Sequence, residues 1–530
     1  MGNIYLLDCT LRDGGYINNW EFGYDAIRNI GRKIAKAGIE GFEVGFIKGD
    51  IFSKDKTIYP NVSCIEDIIA PKDPHLMYIG MVDMNAPVPL ERIGHRNPRS
   101  LDAIRVIFKK NKLEEGYIYC DKIKRLGYIV FAQLVGTDNY SDSEFINAVQ
   151  MFNELEPDAL SIVDTFGAIR LKQFLRLVYI ADNNLKQTIG LGYHSHNNLQ
   201  QAFSNAQSMV ELNLSRDIYI DACVFGMGRG AGNLNLELFA EYLNHTEKKD
   251  YQIEPMLEIA DEYLNDIHKR HFWGYSLPYY LSACNNCHPN YALYFAEKQT
   301  LTAKSLNEIM QGMTPAHRQS YDKETAEKYY RQYMENYIND IETIRTLSSE
   351  FSDRTVLLLA PGSSIYEYAN NIMEFINAHD AIVISLNFFC ENFPITYIFS
   401  SNMRRYVHLQ EKVQVRKIIT SNIKEAVCYD YMINFSSYCS IYPEIIDNSA
   451  IMALNMLNAS GISHVYIAGL DGYTSQCTGN YCNKSLDFNF SDIFAQRNFC
   501  ISQALKEIKK RLCITFLTPT IYNIEDMPNE

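Results

Sequence analysis

The chain is short of features that would take it out of aqueous solution. No window reaches about eighteen unbroken apolar residues, the length at which a membrane span becomes a candidate. The first residues lack a basic start followed by an apolar stretch and a small-residue cleavage site, so no secretory signal is expected. Basic excess is missing as well: 49 Lys and Arg against 63 Asp and Glu leave a formal charge of −14. That argues against a nucleic-acid partner, whose phosphates need a basic surface, and identifies no substrate. Internal repeats and low-complexity segments are absent. The 13 cysteines are scattered and odd in number, so they are expected to be reduced, cytoplasmic and mostly core-filling. "CNNCH", Cys284 to His288, fits the c-type haem attachment pattern. That chemistry belongs to exported proteins, and coincidence is the better reading. A zinc site would need a second pair at suitable spacing, and none is clear.

What is present is α/β alternation. The length of 530 residues implies two or three domains, and an apolar fraction of 47% can fill their cores. Eight apolar runs, from "IYLLDC" through "GFEVGF", "LMYIGMVDM", "AIRVIF", "YIVFAQLVG", "ALSIVDT" and "TIGLGYHSH" to "IYIDACVFGMG", read as parallel strands buried on both faces. Helical patterns separate most of them; the third-to-fourth link, "APVPLERIGHRNPRS", is the weakest. Eight such units in 1–245 predict a (β/α)₈ TIM barrel rather than a doubly wound sheet. Residues 246–350 read as a helical extension, with "DKETAEKYYRQYMENYINDIETIRTLSSE" as a connecting helix. Residues 351–530 resume the alternation and predict a second, Rossmann-like α/β domain with an open parallel sheet.

Catalytic groups of such barrels sit at the C-terminal ends of the strands. The first strand runs into Arg12 and Asp13, with Gly14 and Gly15 allowing the backbone to turn close to a ligand. The seventh ends in "YHSHNN". His194 and His196 are two apart, so on a strand both point to one face. With a carboxylate from Asp13 they make a two-His, one-acid set that leaves positions open for water and a chelating substrate. Manganese is the first expectation, with Mg²⁺, Co²⁺ and Zn²⁺ as alternatives. Two histidines at this spacing are often merely hydrogen-bonded; their place at a strand end, with an acid at another, raises the odds. The eighth strand ends in "GMGRGAGNLNLE", a tight path from which Asn233 can reach the same metal. It is not the dinucleotide fingerprint.

"DCTLRDGGY", "HSHNN" and "GMGRGAGN" together resemble the metal-dependent barrel lyases and aldolases of the DRE-TIM superfamily, which contains hydroxymethylglutaryl-CoA lyase, isopropylmalate synthase and 4-hydroxy-2-oxovalerate aldolase. The glycine loop is most similar to the last of these. The resemblance implies Asp13, His194 and His196 as metal ligands, Asn233 as a further ligand as in the lyase branch, and Arg12 at the oxygen that becomes enolate. It implies C–C bond making or breaking beside a carbonyl, through a metal-bound enolate of pyruvate or a related 2-oxo acid, with an aldehyde as partner. One departure stands out. The aldolases carry a histidine three residues after the metal aspartate, where this chain has Tyr16. Tyr16 serves as acid/base if its pKa is lowered by the metal or Arg12; His288 is the second candidate. Glu43 and Asp164, at other strand tops, read as orienting carboxylates. Tyr275, Tyr279 and Tyr280 are candidates for lining the site or packing on a helix. Related barrels often pair, so a homo-oligomer is expected.

In the second domain "LLLAPGSSI" is a strand running into a turn that can cradle a phosphate at Gly362 and Ser363. Asn387 follows a strand, Asn448 and Ser449 start a helix, and Asp471 ends a strand. In order and spacing these resemble the nucleotide-binding positions of bacterial sialyltransferases. That implies a cytidine nucleotide or nucleotide sugar as partner and a role in making an unusual surface-polysaccharide sugar. The alternatives are an acetyl-CoA-dependent condensing synthase with the same metal set, a non-haem iron oxygenase, and a barrel that no longer catalyses and serves as a scaffold.

Overall fold

The computed structural model describes residues 2–411, 414–476, 478–487 and 493–522. The chain divides into two compact units, Met1–Asn290 and Tyr291–Glu530.

The first unit is a closed parallel barrel. Its strands are β1 Ile4–Asp8, β2 Gly41–Ile47, β3 Met77–Asp83, β4 Ala103–Lys109, β5 Ile129–Val135, β6 Ala159–Asp164, β7 Gly190–Ser195 and β8 Ile218–Ala222. Each pairs in parallel with the next, and β1 closes the ring by pairing with both β2 and β8. A two-residue strand, Ile58–Tyr59, adds to the top of β2. Most links carry a helix, as in α1 Tyr24–Lys36, α3 Leu113–Arg125 after α2 Ser63–Ile69, α4 Asp142–Leu155, α5 Leu171–Asn184, α6 Ala202–Glu211 and α7 Leu236–Glu247. Between β3 and β4 there is only the 3₁₀ turn Leu90–Arg92. Pro87, Pro89 and Pro98 remove donors there and prevent a longer helix. α4 starts on a capping box: Glu144 donates its N–H to the Ser141 hydroxyl, and the Glu144 carboxylate accepts from the Ser141 N–H.

Two cores follow from strand alternation. The large one lies between the outward face of the strands and the helices. The smaller fills the floor of the barrel with Leu7, Ile79, Ala103, Phe131, Ala159 and Tyr219. Two residues further along β4, β5, β6 and β8, on the same inward face, come Arg105, Gln133, Ser161 and Asp221, joined by Glu43 of β2, all buried. The barrel therefore has an apolar floor and a charged middle layer, and the candidate site stands on that layer.

The second unit holds a seven-stranded parallel sheet. Its strands are β9 Val356–Leu359, β10 Ile382–Leu386, β11 Tyr397–Ser400, β12 Arg416–Thr420, β13 Tyr431–Ile433, β14 His464–Ala468 and β15 Cys513–Phe516. The order β13-β12-β11-β10-β9-β14-β15 places a topological switch point beside β9. β13 is only three residues long and was not anticipated from the pattern. The stretch read as one connecting helix is two helices, Lys323–Met334 and Ile341–Phe351. Between them, side chains take up partners outside a helix: Asn336 donates to the Ser421 carbonyl, and Asp340 accepts from the Asn434 N–H.

Among the described residues, no helix is long and apolar enough to cross a membrane.

Candidate active site

Beyond Asp8 the backbone folds back on itself. The N–H groups of Arg12 and Asp13 both donate to the Cys9 carbonyl, at 3.1 and 2.8 Å. This turn carries Arg12 and Asp13 over the barrel mouth, both buried. Gly15 is required for a packing reason rather than for ligand approach: a Cβ there would lie 2.2 Å from the Trp20 ring.

His194 lies in β7 and His196 just past its end. Their Nε2 atoms stand 3.8 and 3.7 Å from the two oxygens of Asp13. The candidate ligand atoms of Asp13, His194 and His196 all lie within 4.8 Å of one another. Burial works to raise the Asp13 carboxyl, but Arg12, His196, His194 and Arg229 hold it well below the usual carboxylate range. Burial lowers His196 to about 3, against the pull of Asp13, so its imidazole is neutral at pH 7. His194 Nδ1 lies 2.9 Å from Asp221 Oδ2. Asp221 would be raised by burial, but Arg105 and the bond to His194 keep it low. An ionised Asp221 accepts from Nδ1–H, which leaves the Nε2 lone pair facing Asp13.

Asn233 completes the set. Its Nδ2 donates to Asp13 Oδ2 at 2.8 Å and to the Met227 carbonyl at 2.9 Å. Its buried Oδ1 has no hydrogen-bond partner among the described residues. An ionised carboxylate, two imidazoles with free nitrogens and an orphaned amide oxygen are a donor set suited to a divalent cation, so the residues fit the metal that the motifs imply. A second group, Cys9, His194 and Asp221, is also close enough to share an ion. It is the poorer choice, because the Arg105 guanidinium already lies 3.4 Å from Cys9 Sγ and 2.5 Å from Asp221 Oδ1.

The loop after β8 is anchored to the top of β7. Asn197 N–H donates to the Gly232 carbonyl and Asn233 N–H to the Gly226 carbonyl. Gly232 has φ +83°, and a Cβ would lie 2.1 Å from the Gly226 carbonyl oxygen. Gly232→Ala should push this loop away and weaken Mn²⁺ binding by about tenfold or more, the range seen when support around a ligand is lost. Competition titration with a chelating dye measures it. Unchanged affinity in a folded variant would show that the loop does not matter to the metal.

The other expected residues fall at various distances from this group. Arg12 donates from Nε to Glu43 at 2.8 Å and pairs with Asp13. Glu43 also receives Arg105 at 3.4 Å, which makes it the anchor of two arginines. Asp164 points away from the metal group. Its carboxylate accepts the N–H groups of Ala168 and Ile169, and burial raises it to about 7. Tyr16 does not meet the condition of a lowered pKa. Burial raises its hydroxyl, with Arg229 opposing, because the ring is packed against Trp20 and Phe46. It is a protonated donor, not a base. His288 is lowered to about 3 by burial and by the charges of Arg229, Lys109 and His196, so it is neutral; its Nδ1 accepts from Asn290 N–H at 3.2 Å, which leaves the ring proton on Nε2. Tyr275 and Tyr280 are exposed. Cys284 and Cys287 are free thiols outside both candidate metal groups. Arg105 and Asp221 were not anticipated. The signal was a charge in the middle of each of two apolar strands, "AIRVIF" and "IYIDACVF".

In the second unit, Gly362, Asn387, Asn448, Ser449 and Asp471 line one cleft at the C-terminal ends of β9, β10 and β14. Ser363 is exposed and lies off its wall. The cleft's volume of about 130 Å³ is below the ~300 Å³ of a small ligand site. It accepts part of a ligand, with the rest outside. Several of these groups are already engaged: Asn448 caps the helix Ser449–Ala459, and Asp471 accepts from the Ser364 N–H at 2.8 Å.

Residues 131–261 match the family model described as HMGL-like, a stretch that takes in His194, His196 and Asn233. This agrees with the superfamily resemblance read from the motifs. Among solved structures, the N-terminal domain of a candidate aldolase from Bacteroides vulgatus is 24% identical over 55% of this chain and 96% of that one, with a TM-score of 0.49. HMG-CoA lyase from Bacillus subtilis is 15% identical over 50% of this chain and 94% of that one, with a TM-score of 0.42. The carboxyl transferase domain of Rhizobium etli pyruvate carboxylase, with pyruvate, is 15% identical over 59% of this chain and 56% of that one, with a TM-score of 0.45.

Proposed function

We propose that the HMGL-like barrel is a divalent-metal-dependent aldolase or lyase that makes or breaks a C–C bond beside the carbonyl of pyruvate or a related 2-oxo acid. The observation that carries this reading is the convergence of Asp13, His194 and His196 at one point of the barrel mouth with Arg12 alongside. A divalent cation held there supplies Lewis-acid polarisation of a chelating carbonyl and, with it, stabilisation of an enolate. Arg12, fixed by Glu43, presents a permanent positive charge that needs no reorganisation as negative charge develops on an oxygen. Asp221 keeps His194 in the tautomer a ligand needs. Tyr16 O–H and the Nε2–H of neutral His288 are the donors to the acceptor oxygen.

The second unit's cleft supports a further reading as a site for part of a cytidine nucleotide or nucleotide-linked sugar. What favours it is the position of the cleft at the switch point, with five of the six expected residues on its wall. A role in making an unusual surface-polysaccharide sugar follows from taking the two readings together.

The test of the barrel reading needs no acceptor. In D₂O the methyl protons of pyruvate should exchange in the presence of protein and Mn²⁺, and the exchange should stop on adding EDTA. Exchange indifferent to EDTA would remove the metal from the reaction. No exchange by the metal-loaded protein would remove pyruvate as donor, and CoA release from acetyl-CoA would then be measured.

A further inference from the structure

We infer that the acceptor half of the reaction carries an anionic group, carboxylate or phosphate, bound by Lys48 and Arg229. The inference rests on the barrel reading above and adds its second substrate class.

Three rings, Tyr16, Trp20 and Phe46, pack edge-on at the barrel mouth with centroids 4.6 to 6.0 Å apart. Besides Arg12, whose Cζ is 5.8 Å from the Phe46 centroid, two cations lie over them. Lys48 Nζ is 4.1 Å from the Trp20 centroid and 4.3 Å from that of Phe46. Arg229 Cζ is 4.1 Å from the Tyr16 centroid. Both side chains are half-buried, and among the described residues neither forms an ion pair. In a chain with 63 acidic residues, two such cations without a carboxylate partner at one mouth are unusual. Ring faces stabilise them only in part. Burial lowers Lys48, and Arg12 and Arg229 act on it as like charges; Asp83, whose carboxylate accepts from Asn85 N–H, opposes them. The field of Arg229 also reaches Asp13, His196 and His288, so this charge stands beside the metal group.

A 2-oxo acid donor presents one carboxylate, and the metal group with Arg12 accounts for it. Lys48 and Arg229 are two further positive charges, carried on the segments that follow β2 and β8. A second anion on the acceptor satisfies them, and it holds the aldehyde carbon at the mouth with its charged end against the two cations. The loop residue that distinguishes the two ends is Arg229, whose planar fork suits either a carboxylate or a phosphate.

With pyruvate as donor, kcat/KM is compared within two acceptor pairs: succinic semialdehyde against butyraldehyde, and glyceraldehyde 3-phosphate against glyceraldehyde. The wild-type chain should prefer the anionic member of one pair by about a hundredfold, as two charge-assisted contacts allow. The favoured pair distinguishes carboxylate from phosphate. Lys48→Gln and Arg229→Gln should each lower that ratio by about tenfold, and Lys48→Arg and Arg229→Lys should retain most of it. Parity in the wild type, or a ratio that survives the double Gln variant, overturns the inference. A second measurement does not depend on turnover. Calorimetric titration of the metal-loaded chain with succinate and with glycerol 3-phosphate should show binding that weakens at least about tenfold in the double variant. Equal binding in both proteins overturns the anion site. Variant-sensitive anion binding without pyruvate exchange would remove the donor assignment alone.

Discussion

His194→Ala should abolish metal retention and enolisation together while leaving the barrel folded. His194 is one of three converging candidate ligands, and its Nδ1 lies 2.9 Å from Asp221, which orients it. Partners of that outer kind are commonly worth ten- to a hundredfold in metal affinity, so loss of the ligand itself should cost at least about a hundredfold. Elemental analysis after dialysis measures the metal, and pyruvate exchange in D₂O measures the chemistry. Circular dichroism checks the fold. The side chain fills little of the apolar core, so unfolding is not expected. Full metal content and full exchange in this variant would remove the triad from the account of the barrel.

The second large effect concerns a residue that touches no substrate. Arg105 is fully buried and pairs with Asp221 at 2.5 Å and Glu43 at 3.4 Å. Arg105→Met conserves much of the volume but takes from Asp221 its arginine and leaves Glu43 with Arg12 alone. Breaking a buried pair in this way costs about 3–5 kcal/mol. The cost arises from the stranded Asp221 charge, so adding Asp221→Asn should return most of it. Urea unfolding followed by tryptophan fluorescence reads the barrel alone, because both tryptophans, Trp20 and Trp273, lie in the first unit. Arg105→Met within about 1 kcal/mol of wild type would mean that water or relaxation already screens the layer.

This charged layer also marks where sequence reading stops. The eight barrel strands were legible because strands covered on both faces are continuous apolar runs, and β2 and β6 are buried at every position. The histidines and the aspartate at the strand ends pointed to a candidate metal group, because period-two alternation fixes which residues share a face. Arg105 and Asp221 were visible as odd charges in apolar runs, but their pairing depends on which strands face each other across the barrel, 116 residues apart in the chain. Lys48 and Arg229 were invisible for a different reason. A surface-type residue beside a glycine carries no pattern, and only the folded mouth brings both onto the same three rings. Tyr16 was identified by position, yet its environment follows from Trp20 and Phe46, which no local rule places against it.

The closure of the ring by β1 against β8 has a consequence in time. Asp13 meets Asn233 across 220 residues, a length that takes about 10–45 s to synthesise at ordinary rates of ~5–20 residues per second. For that interval Arg12 and Asp13 wait on a strand with one open edge, while His194 and His196 have not yet been made. No shorter N-terminal piece of the chain can present the full donor set. Capture of the proposed cation would therefore be a late event, coupled to the last strand of the barrel, and a bound ion would then favour the closed ring by mass action.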